Sequence, residues 1–261
     1  MSATRVTATR DDAGTRSRRA ARRRPTVVLL VRHGATPTTG AVLPGRARGL
    51  HLSDAGRAQA EATAARIAAL AAGAAGSSGA SAGASAGASA GPAHGARRDR
   101  RSTAPVAVYA SPLERTRETA APIARALGLR VHTERGLVEC DFGEWTGAEL
   151  KALMRLPEWA TVQRAPSLFR FPGGESFADM QRRVTDALGR LVDRHPGETI
   201  VAVSHADPIK AALAMAAGTH LDLFQRLVVS PCSVSAVAYG AAGTHVLTIN
   251  STGSLTELGL S

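Results

Sequence analysis

Residues 25–34 read PTVVLLVRHG, in which a proline precedes an apolar run that ends abruptly in charged and polar residues. The run from Val27 to Val31 is β-branched and aliphatic, which is typical of a strand buried on both faces in a parallel sheet covered by helices. Arg32 and His33 follow it directly. A guanidinium and an imidazole pack poorly in a core, but open α/β sheets bind ligands at the carboxyl ends of their strands. We therefore expect Arg32 and His33 to belong to a binding or catalytic site.

Apolar runs, turn residues and helix-cap signals predict the rest of the fold. In chain order they predict helix 53–71, strand 106–110, a helix from Ser111-Pro112 to about Leu127, strand 130–133, short helix 148–155, amphipathic helix 175–194, strand 199–203, a helix that begins at Asp207-Pro208, and a hairpin of strands 234–239 and 244–249. Because buried strands alternate with helices, we expect an α/β fold, a three-layer α/β/α sandwich with a mostly parallel central sheet in a single domain. The less regular stretch 134–174 is expected to form a rim or lid over the site.

Two segments are expected to lie outside the folded core. Residues 1–25 hold eight arginines, two aspartates and almost nothing apolar, which predicts a disordered basic tail. Residues 72–101 are Gly-Ala-Ser repeats followed by an arginine-rich run, which predicts a disordered insertion. The folded domain is then expected to cover 26–255, interrupted by that insertion.

Most of the formal net charge of +11 falls in these two segments, and aromatic residues make up only 3% of the chain. A nucleic-acid interface needs basic residues clustered on a folded face with aromatic residues to stack on. We therefore expect no specific nucleic-acid partner. Nonspecific contact of the basic tail with polyanions stays open.

The two cysteines, Cys140 and Cys232, are too few for a disulfide framework and favour a reducing compartment. No apolar run reaches the ~20 residues that a membrane span needs, and the N-terminal region lacks the apolar stretch of a secretory signal. We therefore expect a cytoplasmic protein without a membrane partner. The histidines show no metal-ligand spacing, so we expect no metal, and no cofactor is predicted.

Each of the three predicted buried strands ends at a candidate active residue. These residues are His33, Arg115 just beyond the second strand, and His205. If the strands are parallel, all three residues emerge at one edge of the sheet, close to helix N-termini that favour anions. A crevice with two histidines and at least two arginines is suited to a phosphoryl group, because guanidinium groups give phosphate bidentate contacts.

Four motifs in order carry a resemblance to a known family. Residues 30–34 (LVRHG) resemble the signature of the histidine phosphatase superfamily, which includes the cofactor-dependent phosphoglycerate mutases. Residues 111–120 (SPLERTRETA) resemble its second motif, and residues 203–206 (VSHA) its last. Residues 137–147 (LVECDFGEWTG) resemble the acid-bearing loop of its phosphatase branch. One Arg-His-Gly is a weak signal, but four motifs in order at strand ends are a strong one.

The resemblance implies a phosphoglycerate mutase-like fold and a two-step reaction. His33 attacks phosphorus and becomes a phosphohistidine, while Arg32, Arg115 and His205 hold the phosphoryl oxygens. Glu139 protonates the leaving oxygen and then activates water. The residues that the resemblance places around the substrate phosphate are Arg32, Gly34, Thr36, Thr39, Arg115, His205 and Ala206.

Some positions have a second interpretation. Thr39 stands where the superfamily often has an asparagine ligand, and a threonine can donate only one hydrogen bond in its place. Ala206 replaces a common glycine, and only its backbone N–H would be needed. Gly34 needs no role beyond a tight turn. Glu139 has a purely structural alternative, in which it caps the following loop.

We therefore expect a phosphomonoesterase, a histidine acid-base phosphatase that acts on a small phosphate monoester. A mutase that returns the phosphoryl group to its substrate is the alternative, although residues 148–174 look short for a lid that excludes water. A phosphate-binding protein without activity, and an interaction protein that uses its basic tail, are two further possibilities. The sequence makes no prediction about oligomeric state.

Overall fold

The computed structural model describes residues 24–76, 103–255 and 258. Apart from residues 24 and 25, the predicted tail lies outside the described residues. So does the predicted insertion, apart from 72–76, where the prediction was wrong. These five residues continue the preceding helix to Gly76, because the alanines there have high helix propensity.

The predicted strands and helices occur in the predicted order, and one short helix, Trp159–Arg164, was not predicted. The strands and helices of the structure are β1 (Thr26–Arg32), α1 (Asp54–Gly76), β2 (Pro105–Ala110), α2 (Glu114–Leu127), β3 (Val131–Thr133), α3 (Leu150–Leu153), α4 (Trp159–Arg164), α5 (Phe177–Arg194), β4 (Thr199–Ser204), α6 (Ala206–Ala216), β5 (Val234–Gly240) and β6 (Gly243–Ser251). Short 3-10 helices span Arg135–Leu137, Gly143–Trp145, Pro166–Leu168 and Leu221–Arg226. None of the helices in the described ranges is long and apolar enough to cross a bilayer.

The six strands form one sheet in the order β3-β2-β4-β1-β5-β6. Strands β3, β2, β4 and β1 are parallel, whereas β5 and β6 complete the sheet as an antiparallel hairpin. The sheet is therefore mostly parallel, as predicted. The strands that precede the candidate residues, β2, β4 and β1, are adjacent at its centre.

Both faces of the sheet are covered by helices. Val27, Leu29 and Val31 of β1 pack in a core that also holds Ile67 of α1 and residues of α2. Val28 and Leu30 point to the other face and share a core with residues of α5 and α6. Because alternate side chains of a strand point to opposite faces, a strand between two helical layers must be apolar at every position. This confirms the α/β/α sandwich.

The irregular stretch between β3 and α5 packs on a third core, which is rich in aromatic residues. All five phenylalanines of the chain and Trp145 are buried in this core, and Trp159 packs against it. Helix α5 contributes Phe177, and the 3-10 helix Leu221–Arg226 contributes Phe224. Phe171 lies edge-on to Phe142 and Phe169, with ring centroids 4.8 and 4.9 Å apart. Edge-to-face aromatic pairs add to the stabilisation from buried area, so this rim is packed against α5 and α6.

Two helix starts differ from the prediction. Helix α2 begins at Glu114, and the Ser111 hydroxyl lies 2.8 Å from Nε2 of His205 instead of capping the helix. Helix α6 begins at Ala206, so Asp207 lies in its first turn and is not the cap. Cap signals are local in sequence, and at Ser111 a tertiary partner competes for the side chain.

The loop after β1 packs against the start of α1 through two glycines. A Cβ at Gly56 would lie 2.0 Å from the carbonyl oxygen of Ala35, and one at Gly34 would lie 2.5 Å from that of Gly56. Real Cβ atoms do not approach backbone oxygens so closely. The close approach lets the Ser53 amide donate a hydrogen bond to the Ala35 carbonyl, with N and O 2.9 Å apart. Glycine at both positions therefore determines where the loop after His33 lies.

We expect Gly56→Ala to lower the free energy of unfolding by about 1–3 kcal/mol, because the new methyl group must displace backbone. The matched control is Gly189→Ala in α5, where a Cβ meets nothing within 4 Å. That substitution should raise stability by up to about 1 kcal/mol, since alanine is the better helix former. Urea unfolding of both variants measures the difference. Equal effects would show that the approach of Ala35 is not a constraint.

Candidate active site

The sheet register brings His33 and His205 together. Arg32 of β1 pairs with Ser204 of the adjacent parallel strand β4, and a histidine follows on each strand. The ring centroids of His33 and His205 are 5.1 Å apart, with the ring planes at 63°. Both side chains are buried, with 6% and 0% of their surface exposed. Two imidazoles thus share one small volume at the carboxyl edge of the sheet.

The imidazole of His33 is held in one tautomer. Its Nδ1 lies 2.8 Å from the carbonyl oxygen of Gly34, and a carbonyl can only accept, so Nδ1 carries the proton and donates. The lone pair is then on Nε2. Burial lowers the pKa of His33 to about 3, helped by the positive charge of Arg115 and, to a smaller extent, of Arg32. The ring is therefore neutral at pH 7, and the lone pair of Nε2 is not protonated.

His205 offers the opposite feature, a hydrogen-bond donor that no described residue binds. Its Nε2 lies 2.8 Å from the Ser111 hydroxyl, and its buried Nδ1 has no partner among the described residues. Burial holds the pKa of His205 well below its usual value, and the nearby His33 and arginines lower it further. When the Ser111 hydroxyl donates to Nε2 of the neutral ring, Nδ1 bears the hydrogen and can donate it to an anion.

Arg32 and Arg115 are held at one end and leave donors unpaired at the other. Nη1 of Arg32 donates to the Val229 carbonyl, and Nη2 of Arg115 donates to the Gly45 carbonyl, each at 2.7 Å. Among the described residues, no partner exists for the buried Nε of Arg32 or for Nε and Nη1 of Arg115. Burial lowers the pKa of both guanidinium groups. Since unpaired buried donors are costly, this arrangement favours a bound anion.

Glu139 supplies a carboxyl group to the same electrostatic environment. Its side chain is buried, and Oε1 accepts a hydrogen bond from the Cys140 amide at 2.9 Å. Burial raises the pKa of Glu139 to about 7, and the negative charge of Asp207 acts in the same direction. The Cys140 amide, Arg115 and Arg32 oppose this rise. The carboxyl group is thus poised to exchange a proton near neutral pH. Its bond to Cys140 is the local contact that the structural alternative predicted.

The other predicted phosphate-binding residues mainly contact one another or the protein. The Gly34 amide donates to the hydroxyl of Thr119, at 3.0 Å. The Thr36 amide donates to Oγ1 of Thr39, at 2.8 Å, and the Thr39 side chain is exposed. Ala206 is the first residue of α6, so its amide lies at the positive end of that helix. In this structure Gly34 serves close packing, whereas Ala206 keeps a position suited to an anion.

Two residues that act on the site were predicted only as helix caps. Ser111 fixes the ring of His205, and Asp207 adds negative charge near Glu139 and Arg32. Asp207 itself pairs with Lys210, with N and O 3.7 Å apart. Ser111 lies inside the motif of residues 111–120, and Asp207 directly follows the motif of residues 203–206. The motifs therefore indicate that both residues lie near the site, but they do not predict which groups the two side chains contact.

The comparisons with known proteins agree with the four motifs. Residues 28–82 and 92–252 match the family model of the histidine phosphatase superfamily (branch 1). A bifunctional protein of Mycobacterium tuberculosis is 38% identical over 151 residues, which is 57% of this chain and 42% of that protein. The chain therefore spans less than half the length of that relative. Phosphoserine phosphatase 1 of Hydrogenobacter thermophilus is 34% identical over 152 residues, covering 58% of this chain and 72% of that protein.

A solved structure shows the same fold. The native structure of a mycobacterial glucosyl-3-phosphoglycerate phosphatase superposes with a TM-score of 0.68 at 20% identity, covering 88% of this chain and 100% of that chain. At this identity the likeness concerns the fold. It confirms the predicted phosphoglycerate mutase-like architecture.

We expect Ser111→Ala to weaken the binding of inorganic phosphate by about three- to tenfold, which corresponds to one lost hydrogen bond of about 0.5–1.5 kcal/mol. Without the hydroxyl, the ring of His205 is free to take the tautomer that lacks the Nδ1 hydrogen. The control is Ser204→Ala, because its buried hydroxyl donates to the Leu137 carbonyl, at 2.7 Å. Calorimetric titration with phosphate separates the two variants. Equal weakening in both would rule out the tautomer explanation.

Proposed function

Because the chain belongs to branch 1 of the histidine phosphatase superfamily, we propose that it is a phosphomonoesterase that hydrolyses a small phosphorylated metabolite through a phosphohistidine intermediate. The observation that carries this proposal is the pairing of His33 with His205 inside a buried group of unpaired cationic donors. A neutral imidazole with a free Nε2 supplies the nucleophile. The donors around it suit the equatorial oxygens of a transferring phosphoryl group.

In the first step, Nε2 of His33 forms a bond to phosphorus as the bond from phosphorus to the ester oxygen breaks. Arg32, Arg115 and His205 stabilise the charge on the phosphoryl oxygens. The leaving alkoxide is a poor leaving group, so the protonated carboxyl of Glu139 gives it a proton. The products are the free alcohol, a phosphohistidine and the Glu139 carboxylate.

In the second step, the Glu139 carboxylate takes a proton from water while the water oxygen attacks phosphorus. The bond between phosphorus and Nε2 breaks, its electron pair returns to the imidazole, and inorganic phosphate leaves. A carboxyl group with a pKa of about 7 suits both roles, because it gives and takes a proton at similar cost. Glu139 is thereby regenerated in its protonated form.

Hydrolysis is favoured over a mutase reaction by two observations. The stretch between β3 and α5 forms only short helices, α3 of four residues and α4 of six, and these pack on the aromatic core. Two of the three similar proteins described above also carry phosphatase names. A binding protein without activity is disfavoured because nucleophile, acid and cationic groups are all present together.

We expect His33→Ala to lose at least about 10³-fold in turnover of 4-nitrophenyl phosphate, because the covalent route is removed. The control His245→Ala lies on the exposed strand β6 and should retain the wild-type rate. Rapid alkaline quench of the wild type with labelled substrate should trap a phosphoenzyme, because the bond between phosphorus and the imidazole nitrogen is stable to alkali, and His33→Ala should show none. Equal turnover by His33→Ala and wild type would end the proposal. A persistent phosphoenzyme that isomerises substrate without releasing phosphate would identify a mutase.

The pH dependence of kcat/KM should report Glu139. We expect kcat/KM for an alkyl phosphate to fall as the pH rises through about 7, because the first step needs the protonated carboxyl. His33 has a pKa of about 3 and stays neutral throughout such a series. Rates are measured above about pH 6.5, where the substrate is already a dianion.

In the same series, Glu139→Gln should lower kcat/KM by about 10²–10⁴-fold, and its kcat/KM should no longer fall as the pH rises through about 7. If this fall persists in Glu139→Gln, another group is the acid.

A further inference from the structure

A network of ion pairs surrounds the main chain of Glu139. The Glu175 carboxylate accepts two hydrogen bonds from Arg183, from Nε at 2.8 Å and from Nη2 at 2.9 Å. Its Oε2 also accepts from Nη2 of Arg46, at 3.0 Å. Nη1 of Arg46 reaches Asp141, at 3.3 Å. One carboxylate thus holds two guanidinium groups that come from distant parts of the chain.

These two guanidinium groups bind the segment that carries the proposed acid. Nη1 of Arg183 donates to the carbonyls of Gly136 and Val138, at 2.8 and 2.9 Å. The Glu139 carbonyl accepts from Nε of Arg46 at 2.9 Å and from Nη2 of Arg183 at 3.3 Å. The Glu139 backbone is therefore fixed on one side by two charged donors.

Neither of these two guanidinium groups binds the carboxyl group of Glu139. Within the described residues, the hydrogen bonds of both arginines go to main-chain carbonyls and to the carboxylates of Glu175 and Asp141. A guanidinium bound directly to the Glu139 carboxyl would favour its charged form and remove the acid. Bonds to the carbonyl instead restrain the residue, while Glu175 offsets the charge of the arginines.

We propose that Glu175, Arg183 and Arg46 are positioning residues that hold Glu139 in place for proton transfer. The inference rests on the proposed function, because it assumes that Glu139 is the acid in the first step. Glu139 lies between the 3-10 helices Arg135–Leu137 and Gly143–Trp145. It is outside the sheet, so strand hydrogen bonds do not hold it in position. The side chains of Arg183 and Glu175 are largely buried, with 23% and 14% exposed, which makes their pairing stiffer than an exposed ion pair.

The test compares substrates whose leaving groups differ in their need for an acid. An alkyl phosphate needs protonation of its leaving oxygen, whereas 4-nitrophenyl phosphate releases a stabilised phenolate. Hydrolysis of the phosphohistidine also uses Glu139 and is common to both substrates, so the parameter compared is kcat/KM, which reports the steps up to formation of the phosphohistidine. We expect Arg183→Met to lower kcat/KM for the alkyl phosphate by about 10²-fold, the scale of a catalytic group displaced by about 1 Å. For the aryl phosphate, kcat/KM should change by no more than about threefold.

A purely structural role predicts a different result. Loss of folded protein lowers kcat/KM for the alkyl and the aryl phosphate by the same factor. An unchanged ratio of these two kcat/KM values in Arg183→Met would therefore overturn the inference. Arg182→Met is the matched control, since Arg182 is its neighbour in α5 and pairs with Asp179 at the surface. That variant should keep the wild-type kcat/KM for both substrates. If Arg183→Met does not fold, Glu175→Gln and Arg46→Met provide the same comparison.

Glu139→Gln separates this inference from the proposed function. If Glu139→Gln selectively lowers kcat/KM for the alkyl phosphate and the network variants do not, Glu139 is the acid but the network does not position it. If Glu139→Gln lowers kcat/KM for both substrates equally, the proposed role of Glu139 as the acid fails, and the inference fails with it. Selective loss in Glu139→Gln and in the network variants, with Arg182→Met unaffected, supports both.

Discussion

Desolvated positive charge is the constraint on which the rest of this structure depends. Arg115 is completely buried and Arg32 is half-buried. Both have donors that find no partner in the part of the chain that the structure describes, beside two buried imidazoles. Burying unpaired polar groups opposes folding, so the surrounding fold must overcompensate. Central parallel strands flanked by helices provide that excess stability through two apolar cores. An anion that accepts hydrogen bonds from these donors would remove the unfavourable free energy of leaving them unpaired.

The same burial shifts the pKa values of His33 and Glu139 in opposite directions. Removing His33 from water lowers its pKa to about 3, whereas removing Glu139 from water raises its pKa to about 7. Low dielectric disfavours whichever form is charged, so the imidazole becomes neutral and the carboxyl retains its proton. The proposed nucleophile is therefore neutral at pH 7, and the proposed acid is protonated in a large fraction of molecules at that pH. Asp207 strengthens this separation by repelling charge on Glu139.

The acid poses a different structural problem from the other groups. His33 and His205 extend from adjacent strands, so strand register alone sets the distance between them. Glu139 has no such support and lies in an irregular stretch. Two separate devices restrain this stretch, the aromatic core beneath it and the Glu175 network beside it. The chain thus combines a sheet edge suited to an anion with a separately anchored segment that carries the proposed proton donor.

The sequence by itself determined the order and type of the main elements, the parallel arrangement of the central strands and the meeting of His33 with His205. These follow from local patterns, because apolar runs define buried strands and parallel strands end at one edge. Only the tertiary structure decided what Ser111, Arg46 and Arg183 contact. The partner of Ser111 lies 94 residues away in the chain, and the Arg46–Glu175 pair is separated by 129 residues. Such contacts depend on how distant segments pack, and cap or helix-face patterns contain no information about that packing.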